Sequence, residues 1–258
     1  MLLVTCHSQL RPGRRIVDVY EAVRSRRSVR SFLDRPVPAA MLARVLGTAL
    51  RAPSGGNLQP WQVYLLSRSR LDDLKSRVRR RIAAGDRGDP LPVQPYPAAL
   101  PALYAQRLAD MGERRYGAAG IAWEDKDGRA RIRARNWECF GAPAALFCYL
   151  DERMLPPQWM DVGIFLQSVM LLLRAEGLDS CTQISWAEYH RTVAEVIRPP
   201  NGHVLACGMS IGYADPQEPH PPMPRAPLPE VVTFLDSTAE APGTQAKLSA
   251  TSTKGAAT

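Results

Sequence analysis

Arg26-Arg27-Ser28-Val29-Arg30 places three guanidinium groups and a hydroxyl within five residues. Planar guanidinium forks beside a hydroxyl hold a phosphate through charge-assisted, bidentate hydrogen bonds. An extended chain at this point would send Arg26, Ser28 and Arg30 to one side. The same residues would also suit the basic end of a helix, where they offset the macrodipole. The sequence alone leaves both open.

A second run, Pro53-Ser54-Gly55-Gly56-Asn57-Leu58-Gln59-Pro60-Trp61, offers a different chemistry. Two glycines let backbone come close to a ligand, and Asn57 and Gln59 carry amides that both donate and accept. Amides of that kind suit the uracil-like edge of a flavin. A plain helix-to-strand turn using Gly-Gly-Asn for positive φ fits the run equally well. Other chemistry is not advertised. G-x-G-x-x-G, Walker, H-E-x-x-H and G-x-S-x-G patterns are absent, and none of the four His stands near a Ser or Cys nucleophile. No side chain is therefore expected as a catalytic acid, base or nucleophile, and chemistry borrowed from a cofactor fits better. The five cysteines, Cys6, Cys139, Cys148, Cys181 and Cys207, are odd in number and form no C-x-x-C pair. That argues against a disulfide framework and a metal site. Cys148 and Cys207, in apolar runs, are expected as buried thiols, with a reducing cytoplasm as the default location.

Across 258 residues, 33 basic side chains against 25 acidic ones leave a formal charge of +8. Such a surplus raises a nucleic-acid or other polyanion partner. The Arg-rich stretches carry their own acids, however: Asp72 and Asp73 before Arg77 to Arg81, and Glu124, Asp125 and Asp127 before Arg129 to Arg135. That order suits solvated helix faces. A non-enzymatic basic anion- or nucleic-acid-binding module is the alternative from another class, but no recognition motif or aromatic-basic platform supports it. No run of 18 apolar residues occurs, so neither a membrane span nor a membrane partner is expected. The first ten residues lack the pattern of a secretory signal.

The elements that must position these residues alternate between helix and strand. Asp18 with Glu21 reads as a capped helix start over about 18–27. Pro38 opens a helix with an apolar stripe from Met41 to Leu50, and Trp61 to Leu66 reads as a strand. Ser69 caps a helix with Asp72 and Asp73 in its first turn. Residues 85–101 form a long Pro- and Gly-rich loop of the kind used as a lid. Helices follow at 101–116 and 125–139, and a buried strand at Ala144 to Leu150. Val162 to Leu173 is apolar almost all round and is expected as a central helix closed by Gly177. Cys181 to Ile184, Trp186 to Ile197 and His203 to Ile211 read as strand, helix and strand. From Pro216 to Pro229, seven of 14 residues are proline, which reads as an extended arm without helix. Val231 to Leu235 could add an edge strand. Residues 237–258 are expected as a disordered tail.

R-R-S-V-R, separated by 22 residues from P-S-G-G-N-L-Q-P-W, resembles the FMN-dependent nitroreductase family. Gly177-Leu178-Asp179-Ser180-Cys181-Thr182-Gln183 is similar to the family's segment passing the flavin ring. Cys207-Gly208-Met209-Ser210-Ile211-Gly212-Tyr213, followed by Arg225, is similar to its last strand and C-terminal arm. The resemblance runs from about 15 to 235.

The resemblance implies an α+β, nitroreductase-like fold: a mixed, mainly antiparallel sheet surrounded by helices, in an intertwined homodimer with FMN at the interface. It divides the chain into an N-terminal extension (1–14), an FMN-binding domain (15–236) and a tail (237–258). Within the domain lie a lid or substrate region (85–135) and a C-terminal arm (214–236). It implies that Arg26 and Ser28 hold the FMN phosphate, with Arg27 contributing through its backbone or phosphate contacts and Arg225 closing on it, and that Arg30 faces the flavin's N1–O2 edge. Pro53, Ser54, Gly56 and Asn57 would line the flavin, partly from the second subunit, and Gln183 or its neighbours would approach the ring near N5 by backbone. Tyr96, Tyr104, Tyr116 and Trp123 could stack on a flat substrate, ordinary packing being the other reading of them. The implied activity is FMN-dependent NAD(P)H oxidoreduction, with NADH or NADPH as donor. It would reduce small-molecule acceptors, nitroaromatics or quinones, by ping-pong two-electron transfer. A flavin reductase or reductive dehalogenase is the nearest alternative.

Overall fold

The computed structural model describes residues 17–218 and 221–235. The expectations for residues 1–14 and 237–258, and Cys6, lie outside them.

Four strands form one sheet: β1 (Gln62–Ser67), β2 (Ala144–Asp151), β3 (Asp179–Gln183) and β4 (His203–Gly212). Their spatial order is β1-β2-β4-β3, and every pairing between them is antiparallel. Residues of β2 are buried on both sides, so its apolar run is continuous and does not alternate. On one face Ala145, Phe147 and Tyr149 join a core with Val29, Leu74, Trp137 and Trp186. On the other, Leu146, Cys148 and Leu150 join Trp61, Phe165 and Val169. The helices are α1 (Val19–Ser25), α2 (Ala39–Ala49), α3 (Arg68–Ala83), α4 (Ala102–Ala118), α5 (Lys126–Ala134), α6 (Pro156–Ala175) and α7 (His190–Ile197), of which α2, α3, α6 and α7 supply buried residues to these faces.

The capping signals at Asp18 and Gly177 hold, whereas Ser69 lies inside α3, whose N-cap position is Ser67. The Asp18 side chain accepts the Glu21 amide at 2.8 Å and starts α1. At the far end of α6, Gly177 adopts φ +74°, and the amide of Leu178 donates back to the Leu173 carbonyl at 2.9 Å. That left-handed cap satisfies the last carbonyls and turns the chain into β3. The long loop after α3 is stapled at its start. Arg81 bonds Asp86 at 2.7 Å, Asp89 at 3.0 Å and the Thr192 hydroxyl at 2.8 Å, and covers the Tyr189 ring. Gly88, at φ +97°, has no room for a Cβ, which would meet the Glu188 carbonyl at 2.5 Å.

Several expectations are corrected. The central helix begins six residues earlier, at Pro156, because two prolines are tolerated in a first turn. It is also not buried all round. Val162, Phe165, Leu166, Val169 and Leu173 face the core, while Met160 is 65% and Ile164 37% exposed. The helix expected over 125–139 ends at Ala134 and gives way to a 3₁₀ turn, Arg135–Gly141. There Cys139, Phe140 and Gly141 all take positive φ, which burial of Cys139 and Phe140 in the core enforces. Likewise Ile184–Tyr189 is 3₁₀ and only His190–Ile197 is α-helical. α3 starts at Arg68 after Ser67, and no acid lies in its first turn.

The chain divides into two compact units, residues 1–221 and 222–258. Within the second, a short helix α8 (Leu228–Val231) replaces the edge strand suggested for Val231 to Leu235. It also enters the stretch where no helix was expected. Pro229 stands in the first turn of α8, where a missing N–H is harmless.

Candidate functional site

After α1 ends, Arg26 is already extended, with φ −63° and ψ 127°. Ser28 then forms a parallel bridge with Ser180 of β3, and the Val29 amide donates to the Ser180 carbonyl at 3.1 Å. Val29 is fully buried. Alternation therefore turns its neighbours Ser28 and Arg30 away from the core. The segment is an extended edge, not a helix end. Arg30 Nη1 donates to the Ser28 carbonyl at 3.3 Å, which folds its guanidinium back along the segment.

Arg115, from the last turn of α4, completes a cationic cluster. Burial, then the nearby charge of Arg30 and that of Arg135, pushes its guanidinium below the usual value. Its Nη2 is buried and has no hydrogen-bond partner. Cys181 marks the middle of the group. Burial raises its thiol, while Arg30, Arg115, Arg26 and the Ser28 hydroxyl act against that rise. Arg135 has Glu218 at 3.8 Å. Among the described residues, no ion pair is formed by Arg30 or Arg115, so the cluster carries surplus positive charge suited to an anion.

The Gly-Gly-Asn turn is a 3₁₀ turn with left-handed backbone at Gly56 (φ +57°), Asn57 (φ +56°) and Gln59 (φ +49°). The Gln59 amide donates to Ser54 Oγ at 3.0 Å, and Gln59 Nε2 donates to Asn57 Oδ1 at 3.1 Å. Pro53, Gly56 and Asn57 are exposed, as a ligand-lining turn requires. The turn is anchored to the start of α6 through the Gly55 amide and Asp161. The arginine segment is anchored to the other end of the same helix, where Arg174 donates to Ser25 Oγ at 3.3 Å and to Asp179 at 2.7 Å. Asp161 and Arg174 are thirteen helical steps apart, about 20 Å at 1.5 Å per residue. The two segments are thus held by opposite ends of α6.

Gln183 is buried. Its Nε2 donates to the Asn136 carbonyl at 2.6 Å, and its Oε1 accepts from Ser210 Oγ at 2.5 Å. Its side chain is thus committed, which leaves backbone to meet a ligand. Tyr116 and Trp123 pack against each other at 6.1 Å between ring centres, with Arg129 over both. Tyr96 and Tyr104 are exposed. Arg27 is exposed beside the cluster. In the second unit, Arg225 Nη1 donates to the carbonyls of Met223 and Pro224. Cys139, Cys148, Cys181 and Cys207 are all buried free thiols, and burial pushes Cys139 and Cys207 up to about 12. No group of three or more potential metal ligands occurs among the described residues.

A family model described as the Nitroreductase family matches residues 23–213. The chain belongs to the nitroreductase family. A 4-nitrobenzoate reductase of Pseudomonas putida is 35% identical to this nitroreductase over 202 residues, covering 78% of this chain and 87% of that one. Among solved structures, the FMN and NADPH-dependent nitroreductase NfnB from Sphigopyxis sp. strain HMH superposes with a TM-score of 0.81 at 43% identity. It covers 84% of this chain and 98% of its own. The FMN-dependent nitroreductase NfnB from Mycobacterium smegmatis, solved in complex with NADPH, gives a TM-score of 0.77 at 30% identity, over 84% and 99%. The nitroreductase fold is thereby shown. No described helix is long and apolar enough to cross a membrane.

Sequence reasoning missed Arg115. Its one local signal is the pair Arg114-Arg115 beside Tyr116 at a helix end, which resembles any solvated basic turn.

Proposed function

We propose that this nitroreductase is an FMN-dependent NAD(P)H oxidoreductase that reduces nitroaromatic acceptors, with quinones as a second acceptor class. The observation that carries the reading is the acid-poor arginine cluster on the extended edge of β3. Arg26, Ser28 and Arg30 present forks and a hydroxyl to one side, and the buried Nη2 of Arg115 lacks an acceptor. An anionic nucleotide fits that donor set. FMN supplies two-electron redox chemistry in a ping-pong cycle. NADPH, the donor named for both NfnB structures, is taken as the donor here.

The chain's own residues would then bind and orient. Arg26, Arg27 and Ser28 hold the phosphate, joined by Arg225 on the strength of its sequence context. Arg30 places a fixed cation beside the edge of the ring where negative charge develops, the kind of preorganised electrostatics that lowers a barrier. Pro53, Ser54, Gly56 and Asn57 line the ring, and β3 passes it with the backbone of Gln183. No side chain is needed as acid or base at the reacting atom.

The separation of about 20 Å along α6 implies that the Gly-Gly-Asn turn and the arginine segment of one site come from two copies of the chain. The apolar outer face of α6, with Met160 and Ile164 exposed, is where the second copy would sit. A homodimer with two shared sites follows.

A flavin spectrum on the purified protein, followed by NADPH oxidation with 4-nitrobenzoate as acceptor, decides the matter. A colourless protein that takes up no added FMN ends the reading.

A further inference from the structure

α4 and α5 form a hairpin with little burial of its own: within α4 only Gly112 is buried, and within α5 only Gly128. Tyr116, Trp123 and Arg129 stack across it, with Arg129 4.8 Å from the ring centre of Trp123, which is itself exposed. The packing is tight, since a Cβ on Gly112 would stand 2.9 Å from the Trp123 ring. So the hairpin is stiff inside but weakly tied to the sheet. Arg115, next to Tyr116 in this stack, brings its guanidinium beside Arg30 and Cys181. There it buries a nitrogen with no acceptor among other cations. Arg115 is part-buried and its guanidinium also lies over the Tyr116 ring, 5.9 Å from the centre, so what calls for an anion is the one buried nitrogen that lacks an acceptor.

We propose that Arg115 is a ligand of an anionic group of bound FMN, and that through Arg115 the cofactor fixes the 102–134 hairpin. The inference rests on the FMN reading above and adds to it a residue and a coupling. Two parts of FMN share the required chemistry, the phosphate and the electron-rich edge of the ring. Riboflavin, which lacks the phosphate, separates them.

The test titrates FMN and riboflavin into wild type, Arg115→Gln and Arg115→Lys by flavin fluorescence, and follows hydrogen exchange with and without FMN. Arg115→Gln is expected to weaken FMN at least 10-fold, and Arg115→Lys to recover part of the loss. FMN should slow exchange over 102–134 in wild type but not in Arg115→Gln, while exchange in β2 and β4 stays slow and shows the variant folded. Loss confined to FMN assigns the phosphate, and equal loss with riboflavin assigns the ring edge. Unchanged FMN affinity in a folded Arg115→Gln, or unchanged protection of the hairpin, overturns the proposal. Failure of the wild type to bind FMN would instead remove the functional reading on which it stands.

Discussion

The backbone amide of Gly55 donates to both carboxylate oxygens of Asp161, at 3.3 and 3.2 Å, and so ties a glycine turn to the start of α6. Asp161 is buried, and Gly55 has the Asp161 carboxylate 3.8 Å from the position of a Cβ. A charged acceptor of this kind contributes about 1.5–3 kcal/mol. Asp161→Ala is therefore expected to cost about that much in urea unfolding and to weaken FMN binding. Asp161→Asn should retain most of both. Full stability and affinity in the alanine variant would show that the turn holds its shape unaided.

Arg26 sits where α1 ends and the extended segment begins. If Arg26 holds the phosphate as proposed, Arg26→Ala should lower FMN affinity roughly 10-fold or more. Riboflavin affinity should change little. Equilibrium dialysis against both flavins gives the comparison, and equal FMN retention would take Arg26 out of the site.

Acid should release the start of the long loop. Burial alone would raise the Asp89 carboxyl, but Arg81 and the Arg191 amide outweigh it and hold it below the usual range. Arg81 and the Gly88 amide do the same for Asp86. A carboxyl depressed on folding adds stability that is complete above its unfolded value, about pH 4. That stability is lost as pH falls through the folded value. Limited proteolysis should cut within 85–101 faster as pH drops below about 4. In Arg81→Gln the loop should be open at neutral pH and its cleavage nearly independent of pH. A loop equally protected in both proteins would contradict the staple.

The outer face of α6 provides a test of assembly. Ile164→Arg leaves the inward stripe of Val162, Phe165 and Val169 untouched, so the fold should survive while the proposed dimer dissociates. Sedimentation at micromolar concentration reads the outcome, and an intact dimer would move the interface elsewhere.

What could be read beforehand follows the range of the forces involved. Asp18 and Gly177 announce helix ends because capping is decided within a few residues. Val29 was legible as the inward member of an alternating run, once the chain was taken as extended. The left-handed backbone at Cys139 and Phe140 was not, because neither residue favours it and only burial against distant partners enforces it. Arg115 was hidden for a related reason. Nothing in its own helix distinguishes it from Arg114, and its neighbours Arg30 and Cys181 lie far along the chain. For the 53–61 run, the turn itself was readable, while its anchor Asp161 stands 106 residues away.

β3 is the outermost strand of its sheet, and the bridge from Ser28 to Ser180 is what occupies its open side. An uncovered strand edge offers unpaired amides and carbonyls to any other chain that can lie alongside. The segment bearing Arg26, Ser28 and Arg30 is thus also a guard strip. Mutations that loosen it are expected to expose that edge and lower solubility.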